Sequence, residues 1–149
     1  TVALDKGESP TLRIACAGAA GAIGGSGQLK LLETLAKSTD NTSMANRIVQ
    51  RGVVIELGRL KIPGSLPILV SLLDDQDADV RYHAANGVAT ISGDKYEVLP
   101  KPHGLVLRWR GSSGTFSSEK DVSFQGNDAS RFKQDISYRQ GMRIAPWDR

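Results

Sequence analysis

Residues able to do chemistry are few in this chain, and they are scattered. It has two histidines. His83 is followed by Ala84 and His103 by Gly104, and neither has a second His or a carboxylate at ligand spacing. No Ser/His/Asp arrangement can be placed. The GAIGGSG run from Gly21 lacks the Lys and the preceding strand of a phosphate-binding loop, and reads as a turn between helices. Asp74, Asp75, Asp77 and Asp79 look at first like a cation site, but they span a helix–helix turn. The single cysteine, Cys16, sits between Ala15 and Ala17, the setting of a small buried thiol rather than a reactive one. Arg108-Trp109-Arg110 could touch phosphates and stack a base. The positive charges around it, however, are interleaved with Glu119, Asp121, Asp128 and Asp135, so nucleic acid is not the expected partner. These residues predict no catalytic centre, no metal and no cofactor.

The elements that would position any functional residue are clearest from Gly58 to Asp94. After a Pro63-Gly64 turn, Leu66, Leu69, Leu72 and Leu73 fall at helical spacing, with Pro67 in the first turn, where its missing N–H costs nothing. Asp77 is a good N-cap for a second helix, whose buried stripe is Val80, Ala84, Val88 and Ile91 and which ends at Ser92-Gly93-Asp94. The two make a hairpin, and neither helix can bury its apolar face alone.

The hairpin recurs. Arg13, Arg47 and Arg81 are each 34 residues apart. In the same phase stand Ser9, Ser43 and Asp77, all capping types, then Gly18, Gly52 and Asn86, and finally Ile23, Leu57 and Ile91. The stretch GQLKLLETLAKSTD from Gly27 likewise matches GSLPILVSLLDDQD from Gly64, at an offset of 37 residues. A chance amphipathic helix would not keep cap, arginine and terminal aliphatic in phase three times.

The words LPILVSLLDD and DADVRYHAANGVATIS resemble a HEAT-like repeat of the bilin-lyase type, with armadillo repeats as close relatives. In such families the Asp residues of the turn cap helices and face arginines, which implies a ladder from Arg13, Arg47 and Arg81 along the second helices. Deoxyhypusine hydroxylases are HEAT-like enzymes that bind iron through His-Glu pairs, which His83 and His103 do not form. HEAT-like DNA glycosylases rely on a basic concave face, which near-neutral repeats do not offer. The resemblance also raises an alternative activity, that of a bilin lyase or isomerase subunit acting on a chromophore-binding protein.

Taken in order, Ser9-Pro10 predicts a helix to about Gly24, and a second runs from about Gln28 to Lys37. A third follows Ser43 and carries Met44, Ile48, Val53 and Leu57. Asn46 and Gln50 stand where the last hairpin has Val80 and Ala84, which points to a rotated packing register for this helix. KYEVL begins a sixth helix that Pro100 and Pro102 stop at once. Beyond it, Leu105, Leu107 and Trp109 alternate with Val106, Arg108 and Arg110, and DVSF follows a Gly/Ser-rich turn, a pattern that fits a short β-hairpin.

Composition divides the chain at the same place. Residues 1–99 hold ten Lys/Arg and eleven Asp/Glu, whereas residues 100–149 hold nine and five. Six bulky aromatics lie after residue 100: Trp109, Phe116, Phe124, Phe132, Tyr138 and Trp147. The chain is one domain's worth at 149 residues. One cysteine excludes a disulfide framework and suits a reducing compartment. There is no run of membrane-spanning length and no signal peptide. A first residue other than Met, in VALDKGESPT that aligns with the end of a helix and its turn, leads to the expectation of a processed or truncated piece of something longer.

The sequence thus predicts an all-α fold over residues 1–99, a short right-handed solenoid of HEAT/armadillo-like hairpins, with an extended, mostly irregular arm over residues 100–149. The expected function is that of a non-catalytic scaffold or assembly subunit, soluble, in the cytoplasm or an organelle. Its partners would be other protein subunits of a large complex, with no homo-oligomer indicated. Partner binding falls to Arg108, Arg110 and the six aromatics Trp109, Phe116, Phe124, Phe132, Tyr138 and Trp147. Ser9, Arg13, Ser43, Arg47, Asp77 and Arg81 are repeat positions. The arm either covers the last helix pair, as terminal caps do, or reaches into a neighbouring subunit, and six aromatics favour the second.

Overall fold

Three helices of this protein begin on side-chain caps spaced by 34 residues. In the computed structural model, which describes residues 1–38, 43–61, 64–92, 96–101, 104–110 and 116–123, a short 3-10 turn at Val2–Leu4 precedes five helices. They are α1 (Pro10–Ile23), α2 (Ser26–Ala36), α3 (Met44–Arg59), α4 (Ser65–Leu72) and α5 (Ala78–Ser92). Ser9 Oγ accepts from Leu12 N at 3.2 Å and Ser43 Oγ from Asn46 N at 3.1 Å. Asp77 Oδ1 accepts from Asp79 N at 2.8 Å and Val80 N at 3.4 Å. Each cap satisfies N–H groups that the first turn leaves without a partner. The helix bounds lie close to those expected from the sequence.

The second helices of the hairpins, α1, α3 and α5, stack side by side with α3 in the middle, and α2 and α4 pack against them. Leu32 and Leu35 of α2, Val49, Val53, Val54 and Leu57 of α3, Ile68, Leu69 and Leu72 of α4, and Val80, Ala84 and Val88 of α5 form one buried cluster. Each fully buried aliphatic contributes about 1.5–3 kcal/mol. The closest approach is between α3 and α5. A methyl group on Gly58 would lie 2.7 Å from Gly87 Cα, so two glycines let the backbones touch.

The rotated register expected for α3 does not occur. Gln50 is buried at the position equivalent to Ala84, and Val54 at that of Val88. The polar side chain is accommodated instead. Gln50 Nε2 donates to the Ala36 carbonyl at 2.9 Å and to Asp75 Oδ2 at 3.3 Å, tying the end of α2 to the turn before α5. Met44 and Ile48, expected on the same apolar stripe as Val53 and Leu57, face outward instead.

The repeated arginines do not form a ladder of ion pairs. Arg81 Nη1 donates to the Asp75 and Gln76 carbonyls at 2.6 and 3.1 Å. Arg13 Nε donates to the Ala3 carbonyl and its Nη1 to Asn46 Oδ1, both at 3.1 Å. The aspartates are met by Arg51, four residues beyond Arg47, which reaches Asp77 Oδ2 at 2.8 Å and Asp79 Oδ2 at 3.2 Å. Burial opposes ionisation of Asp77, but the Arg51 hydrogen bond, the two backbone N–H groups and the Arg51 charge outweigh it and hold the carboxyl below its usual range.

KYEVL is not the start of a sixth helix. Tyr96–Lys101 is strand β1, followed by β2 (Gly104–Arg110) and β3 (Phe116–Ser123) in an antiparallel sheet of order β1-β2-β3. The register pairs Leu99 with Val106 and Pro100 with Leu105. Pro100, intolerable inside a helix, is admissible on an edge strand, because the ladder there needs donors on one side only. The expected hairpin is therefore present and gains a third strand, so residues 104–110 and 116–123 are regular rather than irregular. Leu105, Leu107, Trp109 and Val122 are buried and continuous with the helical core. Arg81 Nε donates to the Ser123 carbonyl at 2.8 Å, and Lys120 Nζ meets Asp74 Oδ2 at 2.7 Å. This sheet covers α5, so the described part of the C-terminal segment folds back on the last hairpin.

Two outcomes follow from this packing. Gly58→Ala forces a methyl onto backbone that cannot move aside, and should cost about 1–3 kcal/mol in chemical denaturation. Asp77→Ala should cost ~1–2 kcal/mol through the lost cap, and Asp77→Asn less, because the amide oxygen still caps. Since the folded Asp77 carboxyl titrates below its unfolded value, its stabilisation is complete above about pH 5 and is lost as pH falls below about 4. A stability–pH curve of Asp77→Asn should be flatter than wild type over that acid limb.

Candidate functional site

The residues singled out for partner binding do not converge in the structure. Trp109 is only 8% exposed and belongs to this chain's own core, which is where the alternation along β2 directs it. Arg108, on the opposite face of the strand, pairs with Glu119 at 3.0 Å. Phe116 and Arg110 lie in β3 and β2, and are placed here by strand alone. Phe124, Phe132, Tyr138 and Trp147 fall outside the described residues, as does His103. Among the repeat positions, Ser9, Ser43 and Asp77 cap helices, and Arg13 and Arg81 bind turn carbonyls. Arg47 keeps a buried Nε without a hydrogen-bond partner.

The acidic turn is already engaged by protein groups. Asp74 meets Lys120, Asp75 accepts from Gln50, and Asp77 and Asp79 meet Arg51. Among the described residues there is no group of three or more His, Cys, Asp or Glu arranged to hold a metal ion. Cys16 is a free, half-buried thiol packed against the core.

Two other features stand out, both on the stacked second helices. The first is an apolar stripe on α3. Met44, Ile48 and Ile55 are 61%, 42% and 41% exposed, and their spacing places them on one helical face. The second is a groove of about 480 Å³ between α3 and α5. Ile55, Gly58 and Arg59 of α3 line it, with Lys61 just beyond the helix and His83, Asn86, Gly87 and Thr90 from α5. Ile55 joins the stripe to the groove.

Asn86 is the chemically unusual member. It is 6% exposed, and its Oδ1 has no hydrogen-bond partner. Its backbone carbonyl is engaged separately by Thr90 Oγ1 at 2.8 Å. A buried acceptor left in this condition costs about 1–3 kcal/mol. Lys61 is also held at a cost. It follows α3 in the left-handed conformation, at φ 49°, where glycine is the favoured residue, and its N–H closes on the Gly58 carbonyl at 3.2 Å. Arg59 reaches back to Glu56 at 2.7 Å, and that hydrogen bond and charge hold its guanidinium above its ordinary pKa. His83 lies edge-on to Tyr82, ring centroids 5.4 Å apart.

Neither Asn86 nor Lys61 was among the residues expected at a site, yet one signal was present. The phase that holds Gly18 and Gly52 holds Asn86 in the third copy, an amide where the other copies have glycine.

The stacked hairpins, their 34-residue period and their paired turns have a counterpart among known families. The family model for HEAT repeats matches residues 42–101. Residues 42–101 are HEAT repeats. The match takes in α3, α4 and α5, hence both walls of the groove. No curated protein and no solved structure matches the chain at a significant level. HEAT repeats are generally protein-interaction scaffolds and typically non-catalytic. No helix among the described residues is long and apolar enough to cross a membrane.

If the groove polar groups are retained at the expense of stability, their removal should stabilise the free protein. Asn86→Ala deletes the unpaired oxygen and improves helix propensity, and Lys61→Gly relieves the left-handed backbone. Each should raise unfolding free energy by about 1 kcal/mol. Urea midpoints at unchanged m-value provide the measurement.

Proposed function

We propose that this protein is a non-catalytic scaffold, an assembly subunit that holds a protein partner on the outer face of its second helices. The observation that carries the reading is the exposed Met44–Ile48–Ile55 stripe on α3, inside a stretch that matches HEAT repeats. A helix in the middle of a stack has no folding reason to expose three large aliphatics on one face. Covering them contributes roughly 25 cal/mol per Å² of apolar area. Phe124, Phe132, Tyr138 and Trp147 supply further anchors for the same partner, since bulky aromatics carry much of the energy of protein interfaces. The partner belongs to a larger complex. Bilin transfer rests on resemblance alone and gains no residue here, as Cys16 is half-buried between Ala15 and Ala17.

The test is recovery of the protein from its native source. It should co-purify in fixed stoichiometry with a complex. The exposed-face variants Met44→Glu and Ile48→Glu should lose that association while keeping the wild-type melting temperature within about 2 °C, because surface substitutions rarely change stability. A chain recovered alone, or one whose association survives both variants, would count against the scaffold reading.

A further inference from the structure

We propose that the groove between α3 and α5 is a subsite for an extended acidic peptide segment, one of whose backbone N–H groups donates to Asn86 Oδ1 while a neighbouring carboxylate meets Lys61. This inference deepens the scaffold reading and rests on it.

The argument starts from the unpaired oxygen. Asn86 Oδ1 is buried in the wall of a groove and accepts from nothing, so the groove needs a donor from outside. A docked helix is a poor source, because its N–H groups beyond the first turn are already used within the helix. An extended segment presents free N–H groups at every other residue along one edge. At about 480 Å³ the groove has room for a few residues of such a segment, and is too small to seat a folded element. Its floor suits close passage of a backbone, because Gly58 and Gly87 contribute no side chains there.

Charge selects the kind of peptide. Lys61 and Arg59 stand on the α3 side, and no carboxylate is among the described residues lining the groove. Glu56, one turn back, already engages Arg59, so Lys61 is the cation that an incoming carboxylate would meet first. A lysine kept in a conformation that favours glycine, beside an acceptor kept without a donor, is a pair of local costs converging on one groove. Nothing in the packing of the hairpins requires either. An acidic ligand gives both a use.

Titrating the ¹⁵N-labelled full chain with two probe peptides, acetyl-Gly-Glu-Val-Glu-Gly-amide and its counterpart with Lys in place of Glu, provides the test. The acidic peptide should move the Asn86 side-chain amide and the Gly58 and Gly87 backbone resonances, and should saturate at millimolar concentration. The basic peptide should leave them in place. Asn86→Ala and Lys61→Gly should each weaken the acidic peptide about five-fold or more, although both fold at least as well as wild type. Equal response to the two peptides would overturn the proposal, as would unchanged affinity in both variants or no shift up to millimolar peptide. Shifts confined to Met44 and Ile48 would also overturn the groove subsite. In that case the scaffold reading survives so long as Met44→Glu and Ile48→Glu still break the association with the complex.

Discussion

The contact of two helix backbones at Gly58 and Gly87 sets the geometry of everything around it. With no side chain on either residue, α3 and α5 meet at a separation that a single methyl would forbid. Leu69 fills the space behind, its Cδ1 only 2.9 Å from where a methyl on Gly87 would lie. Because the helices touch there, side chains on either side of the contact stand off from it, and a groove opens along the outer face. Asn86 is drawn into that groove by its place next to Gly87. The apolar stripe of α3 arrives at the same groove through Ile55, so the two candidate contact features are parts of one surface.

The turns between hairpins are built on a different principle. Arg13 and Arg81 give their donors to backbone carbonyls of the segment preceding their own helix, where a planar fork of N–H groups fits two adjacent carbonyl oxygens. The aspartates of the last turn are answered by Gln50, Arg51 and Lys120. The loop edge of the stack is thereby internally satisfied, a poor place to recruit a partner. The helical face, with exposed aliphatics and an unpaired acceptor, is the surface with unmet interactions.

Much of this architecture was legible from residue types alone. The three caps at Ser9, Ser43 and Asp77 are local interactions within one helical turn, so sequence spacing suffices to find them. The buried stripe of α5 is legible for the same reason, since helical periodicity maps directly onto one face. Gln50 misled because polarity suggested that α3 must turn away. It stayed inside because Ala36 and Asp75, distant in sequence, offered hydrogen-bond partners. KYEVL misled because a short apolar run beside prolines has no periodicity of its own, and only pairing with Gly104–Arg110 made it a strand.

The candidate site was hidden for a related reason. A groove exists only between elements, and Asn86, Lys61 and Ile55 come from two helices and a turn that the linear order keeps apart. Trp109 shows the converse, an aromatic that looks free to bind a partner until the sheet folds onto α5 and takes it into the core. By itself the chain's order of residues determined where helices start, which faces are apolar, and the 34-residue recurrence, because those depend on neighbours within a few turns. Tertiary packing alone decided which polar groups find partners and which aliphatics stay outside, because burial and hydrogen bonding are settled by whichever remote segment comes to lie against them.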